Sequence, residues 1–209
     1  MNLLLFDFDG VLVESLDVYE KIVTSCLQKI SWPLIINREE FLELFNDNFF
    51  ESLMKRGVDI KEFMAKSGDM LSGVNYEKLK PVSTVLPVIA KLQKDNVLLI
   101  ISSNDSGTIQ DALDYFGYSA YFREVLGSDF MLSKKDKMIY AFDKYQISAD
   151  NIYYIGDTAG DIIEGKAAGV KTVGVTWGWH SKEKMAAVRP DYLFLQPEDL
   201  LQLNYKSIS

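Results

Sequence analysis

Short, mostly apolar runs recur along the chain, and each stops at glycine or polar residues. Leu3-Leu4-Leu5-Phe6 precedes Asp7, Val97-Leu98-Leu99-Ile100-Ile101 precedes Ser102-Ser103-Asn104, Ile152-Tyr153-Tyr154-Ile155 precedes Gly156-Asp157, and Lys171-Thr172-Val173-Gly174-Val175 precedes Thr176-Trp177-Gly178. Continuous rather than alternating hydrophobicity over so few residues predicts strands buried on both faces. Between these runs the apolar positions recur at helical spacing, over Pro87 to Asp95, Ser106 to Phe116 closed by Gly117, Lys134 to Tyr145, and Thr158 to Ala168 closed by Gly169. Glycine just past a helix is a common C-terminal cap. The alternation of strand and helix predicts an α/β fold, a Rossmann-like parallel sheet core with helices on both faces. Ligands of such sheets bind at the carboxyl ends of the strands, so the polar strand ends are expected to converge.

The rhythm breaks between Leu16 and Lys80, where amphipathic stretches at Leu16 to Ile30, Glu39 to Phe45 and Ile60 to Met70 come with no strand pattern. Ser31-Trp32-Pro33, Gly57-Val58-Asp59 and Gly73-Val74-Asn75 divide this region into short helices, and Lys80-Pro81-Val82-Ser83 reads as a return hinge. The expected organisation is a catalytic core of residues 1–15 and 82–209 with an all-helical insertion at 16–81. There is no internal repeat and no low-complexity segment.

With 209 residues, 48% of them hydrophobic and 25% charged, the chain can bury a core without covalent staples. Cys26 is its single cysteine and has no internal disulfide partner, so a reducing cytoplasm is the expected compartment. A net charge of -8 and a pI near 4.7 disfavour nucleic acid and anionic membranes as partners, so an anionic ligand has to be held locally. The stretch from Met1 to Val13 lacks a basic leader and is interrupted by Asp7 and Asp9, which argues against a targeting signal. No run reaches the roughly 18 to 20 apolar residues of a membrane span. No pattern specifies an oligomeric state.

Several polar positions carry candidate chemistry. In Asp7-Phe8-Asp9-Gly10 two carboxylates two residues apart on a strand project to one side. A solvated strand end with a polar turn is the readier explanation of this pair when it is taken alone. A calcium loop does not, because Val11-Leu12-Val13 follow Gly10 where oxygen ligands would be needed. Gly156-Asp157-Thr158-Ala159-Gly160-Asp161 again places an acid at a strand end and another at a helix start, where capping and the helix dipole alone would account for it. Together, the two segments would gather up to four carboxylates in one region, which is costly without a cation. Oxygen donors suit magnesium, and no histidine or cysteine cluster suggests zinc. Ser102-Ser103-Asn104 offers hydroxyls, an amide and backbone N–H groups to a phosphate, a plain turn and cap being the alternative. Lys134 opens a helix against the dipole, so it either has a local partner or belongs to a solvated charge run. Trp177-Gly178-Trp179-His180 should lie near the same rim. Packing tryptophans and a hydrogen-bonded histidine explain it without a catalytic role, and Cys26 reads as a packing residue.

In their order, these segments resemble the haloacid dehalogenase-like hydrolase superfamily. Asp7-Phe8-Asp9-Gly10-Val11-Leu12 is similar to its first motif (D-x-D-x-[TV]-[LI]), Ser102 to the Ser/Thr of the second, Lys134 to the lysine of the third, and Gly156-Asp157 through Asp161 to the G-D-x-x-x-D fourth. The helical insertion after the first motif resembles the small cap of the phosphoglycolate phosphatase-like subgroup. The resemblance implies that Asp7 is a nucleophile forming an aspartyl-phosphate and that Asp9 is the acid that protonates the leaving oxygen and then activates water. It makes Ser102 and Lys134 ligands of the phosphoryl group, together with Ser103 and Asn104, and Lys135 is the alternative motif lysine. Asp7, the backbone carbonyl of Asp9, Asp157 and, directly or through water, Asp161 are the implied holders of Mg2+.

Asp9 argues against a dehalogenase, since halide-displacing members lack that acid. A phosphonate hydrolase would use a cap lysine as a Schiff base, and nothing singles out Lys21, Lys29, Lys55, Lys61 or Lys66 for that role. A sugar phosphomutase resembling β-phosphoglucomutase shares every core motif and is the main alternative. A non-catalytic binding protein is disfavoured because every catalytic position is filled. The expected function is that of a magnesium-dependent phosphatase acting on a small phosphorylated metabolite.

Overall fold

The computed structural model describes residues 1–31, 37–71 and 79–204. In chain order, β1 (Leu3–Phe6) and β2 (Val13–Glu14) are followed by α1 (Leu16–Lys29), α2 (Arg38–Glu43), α3 (Phe49–Lys55) and α4 (Ile60–Leu71). Then come β3 (Lys80–Pro81), α5 (Leu86–Leu92), β4 (Val97–Ile101), α6 (Ser106–Phe116), β5 (Glu124–Leu126) and α7 (Lys134–Tyr145). The chain continues with β6 (Ile152–Gly156), α8 (Ala159–Ala168), β7 (Lys171–Val175), α9 (Lys182–Ala187), β8 (Tyr192–Phe194) and a 3-10 segment at Pro197–Asn204.

Six strands form one parallel sheet in the order β5-β4-β1-β6-β7-β8. The chain moves outward from β1 to one edge and then returns to build the other half, so the order reverses beside β1. That reversal leaves a crevice at the carboxyl ends of β1 and β6, where Phe6 is in register with Ile155. The α/β expectation is therefore met, with a central strand apolar on both faces. Leu4 and Phe6 pack with Val88, Ile89, Ile109 and Leu113 of α5 and α6, while Leu3 and Leu5 pack with Met138 and Ala141 of α7.

The edge strands β5 and β8 and the short helices α3 and α9 carry no pattern strong enough to predict them. β5 is only three residues long and half exposed, so it lacks a continuous apolar run. The return hinge does more than connect. Val13 pairs with Pro81 and Glu14 with Lys80, so the chain leaving the sheet and the chain returning to it form a two-stranded antiparallel ribbon.

Helices α1 to α4 hold an aromatic-rich cluster of their own, including Tyr19, Phe41, Phe45, Phe49, Phe50 and Phe63. Phe45 and Phe49 stack with ring centroids 5.0 Å apart. Gly57 ends the turn after α3 at φ 87, a left-handed conformation that favours glycine. Trp32-Pro33 and Gly73-Val74-Asn75 lie outside the described residues. Among the described residues no helix is long and apolar enough to cross a membrane.

Candidate active site

Asp7 and Asp9 lie just past the end of β1 rather than on the strand itself. Asp7 N–H still bonds to Ile155 O at 2.8 Å, after which Leu12 N–H returns to Phe8 O at 2.9 Å and Gly10 turns the chain at φ 75. The alternation survives this change. Phe8 enters the apolar core while both carboxylates face a small cavity of about 20 Å³, which Ser102, Ser103, Lys134 and Asp157 also line. A Cβ on Gly10 would run into the Asp157 carboxylate, so the close approach of these two loops requires a glycine there.

Asp157 follows β6 directly and is fully buried. Its Oδ2 accepts from Trp179 N–H at 2.6 Å, while its Oδ1 has no hydrogen-bond partner among the described residues. Burial pushes its pKa well up, and the charges of Asp161 and Asp7 push it further. Asp161 sits at the start of α8 in a capping box, its Oδ2 accepting from Thr158 N–H while its own N–H donates to Thr158 Oγ1. Asp161 Oδ1 accepts from Lys134 Nζ at 2.7 Å and from Tyr154 Oη at 2.9 Å. Burial alone would raise the Asp161 pKa, but Lys134 and these hydrogen bonds take it below the usual carboxylate range.

Lys134 is the first residue of α7, behind the Ser133 cap. Its ammonium lies 2.7 Å from Asp7 Oδ2 as well as from Asp161, and this explains a cation at a helix start. Burial opposes its charge, and Asp161 and Asp7 outweigh that to raise its pKa well above normal. Lys135 is exposed and does not line the cavity. Asp7 keeps a pKa of about 7 despite Lys134, because burial raises it more than the ammonium lowers it. Burial also raises Asp9, against the hydrogen bond from Asn104.

On the β4 side, Ser102 is buried and its Oγ accepts from Asn104 N–H at 3.1 Å. Asn104 Nδ2 lies 3.4 Å from Asp9 Oδ2, so it stands behind the acid and does not line the cavity. Of the positions singled out from the sequence, Asp7, Asp9, Ser102, Ser103, Lys134 and Asp157 meet at one cavity, with Asn104 and Asp161 one layer behind.

Sequence reasoning missed Lys137, which is fully buried and donates to the Ser102 carbonyl. Burial and the charge of Lys134 lower its pKa to about 7. Its spacing of one helical turn from Lys134 was the available signal. It also missed Tyr154 and the backbone of Trp179. His180 is a bonded side chain, its Nδ1 accepting from Ala159 N–H at 2.9 Å and its Nε2 lying 3.1 Å from Leu42 O. Trp177 Nε1 donates to Val11 O, and Trp179 packs at 4.9 Å against Phe45. Cys26 is buried against Phe63, and burial raises its thiol to about 11, which fits packing and not nucleophilic chemistry.

The donor set suits a hard divalent cation. Asp7, Asp157 and Asp161 each offer a carboxylate oxygen, all within 4.8 Å of one another and all buried, and the unpartnered Oδ1 of Asp157 is the atom such a cation would satisfy.

A family described as haloacid dehalogenase-like hydrolase has a model that matches residues 4–175. A phosphoglycolate phosphatase of Vibrio parahaemolyticus is 25% identical, the alignment covering 97% of this chain and 96% of that one. A pyrophosphatase, PpaX, of Bacillus pumilus is 26% identical with the same coverage of 97% and 96%. A solved haloacid dehalogenase-like hydrolase from Streptococcus pneumoniae superposes with a TM-score of 0.81 at 19% identity, covering 98% of this chain and 99% of that one, and so shares the fold.

Proposed function

Because the chain belongs to the haloacid dehalogenase-like hydrolases, we propose that it is a magnesium-dependent phosphatase that hydrolyses a small phosphorylated metabolite through an aspartyl-phosphate on Asp7. The observation that carries this reading is the bridge of Lys134 between Asp7 and Asp161, 2.7 Å from each, beside the unpartnered Oδ1 of Asp157. A buried carboxylate cluster with one fixed ammonium and one open oxygen is built to receive a cation and an anion together.

Asp7 attacks phosphorus, and the bond to the leaving oxygen breaks as Asp9 gives that oxygen its proton. Burial favours the protonated form of Asp9 that this step needs. Asp9, now a carboxylate, takes a proton from water as the water oxygen attacks the aspartyl-phosphate, which regenerates Asp7 and releases inorganic phosphate. Ser102, Ser103 and Lys134 bind the phosphoryl oxygens, with Asn104 orienting Asp9. Asp161 positions Lys134, since four donors already occupy its two oxygens. Asp7, Asp157, the Asp9 carbonyl and, directly or through water, Asp161 would hold magnesium, which would supply charge neutralisation at the phosphoryl group.

Residues 16–81 act as a cap over a core of 1–15 and 82–209. Contacts of this segment with α8 support that role, since Phe45 O accepts from Gly160 N–H at 2.9 Å and Asn48 Nδ2 donates to Glu164 at 2.9 Å. The test is release of inorganic phosphate from a panel of phosphomonoesters with and without magnesium, with Asp7→Asn as the blank. Metal-dependent release absent from the variant supports the reading. Release that is equal in the two proteins overturns it.

A further inference from the structure

Two further cavities border the catalytic one. The first, about 300 Å³, lies beyond Trp179 and beside the β2 and β3 ribbon. Its single lysine, Lys80, stands with Glu14 and Asp17, and none of Asp7, Asp9, Ser102 or Lys134 lines it. The second, about 110 Å³, shares two walls with the catalytic cavity, Tyr19 and Ser103. Tyr19 and Ser103 thus place the second cavity next to the position of a phosphorus at Asp7.

That second cavity is apolar on its helical side, where Ile22, Phe49, Phe63 and Met64 line it. On the sheet side it meets Ser103, Asp105 and Ser128. Among its described lining residues there is no lysine, arginine or histidine. Two cations of the helical segment are tied to acids away from this cavity, Arg38 to Asp17 at 2.5 Å and Glu20 at 2.6 Å, and Lys55 to Asp47 at 3.3 Å. Asp105 is fixed as the cap of α6, accepting from Thr108 N–H at 3.1 Å, so its carboxylate stays at this wall. Among the described walls, a second anionic group entering here would be desolvated without a counter-ion and would face Asp105.

We infer that the leaving group of the substrate occupies this cavity and that it is a small, uncharged, largely apolar group. The inference rests on the phosphatase reading and narrows it. A cavity of this size is somewhat below the ~150 Å³ that admits benzene, which suits a short aliphatic chain. It sets this chain apart from enzymes acting on phosphoglycolate or pyrophosphate, whose leaving groups each carry a further negative charge.

The test compares kcat/KM of the full chain, with magnesium, for n-propyl phosphate, phosphoglycolate and pyrophosphate, with para-nitrophenyl phosphate as a general phosphatase probe. The expected result is a preference for n-propyl phosphate of at least about tenfold over both anionic compounds. Met64→Lys and Ile22→Lys, each placing a cation on the wall, should narrow that preference, with folding of both checked by circular dichroism. Equal or better turnover of phosphoglycolate or pyrophosphate by the unaltered chain would overturn the inference and leave the phosphatase reading standing. Absence of turnover of every compound, para-nitrophenyl phosphate included, would overturn both.

Discussion

Lys134 Nζ lies 2.7 Å from Asp7 Oδ2, across 127 positions of sequence. The same ammonium is 2.7 Å from Asp161, so one cation ties the loop after β1 to the start of α8. Both carboxylates and the lysine are almost completely buried, so the group is costly to assemble and costly to break.

Asp7→Asn is expected to lower phosphate release to the background of the assay, because an amide does not act as the nucleophile. Its thermal midpoint should stay within a few degrees of the parent, since Lys134 keeps Asp161 as a partner. Turnover close to normal in this variant would remove Asp7 from that role.

Lys134→Met leaves Asp7 and Asp161 without their cation. The expected loss of stability is about 3 to 5 kcal/mol in urea unfolding at pH 8 without magnesium. An unchanged unfolding midpoint would show that the bridge contributes nothing to the folded state.

Asp157→Asn should abolish the magnesium-induced rise in thermal midpoint. Gly178→Ala should act in the same direction without altering any carboxylate, because its Cβ would press on Asp157, whose Cγ it would meet at 2.5 Å. A magnesium response like that of the parent in both variants would place the ion elsewhere.

The pH dependence without metal has a definite sign. Burial raises Asp7 from 3.8 to about 7 and Asp157 well above its usual value, so the folded state binds protons that the unfolded state has released. Their stabilising contribution is complete below the unfolded pKa and is lost as pH rises through the folded one. Magnesium should therefore raise the melting midpoint more at pH 8 than at pH 5, as read by differential scanning fluorimetry. A larger shift at the lower pH would contradict this account.

His180→Ala strands Ala159 N–H and Leu42 O, which the imidazole now bridges. The expected cost is about 1 to 3 kcal/mol in denaturant unfolding, with turnover per folded molecule near that of the parent. A collapse of turnover in a fully folded variant would assign the imidazole a part in the chemistry.

Much of this was readable from the chain alone. The continuous apolar runs at Leu3–Phe6, Val97–Ile101 and Ile152–Gly156 fit strands covered on both faces, and β1 is buried at every residue. Asp7, Asp9 and Asp157 and the hydroxyls of Ser102 and Ser103 stood out because they follow apolar strands, and Lys134 and Asp161 because they are charges at helix starts. Strand β5 and the ribbon of β2 and β3 were not legible, since short, half-exposed pairings depend on a neighbouring strand and not on local hydrophobicity.

Hydrophobic periodicity and the placement of charge are local properties, so the central strands, the helices between them and the polar residues gathered at the cavity were legible along the chain. The pairing of Lys134 with both Asp7 and Asp161, the open Oδ1 of Asp157 and the support of the Ser102 carbonyl by Lys137 came from the three-dimensional arrangement. Those relations depend on sheet order and loop geometry, which bring together residues such as His180 and Leu42, 138 positions apart, and no pattern along the chain encodes a distance across it.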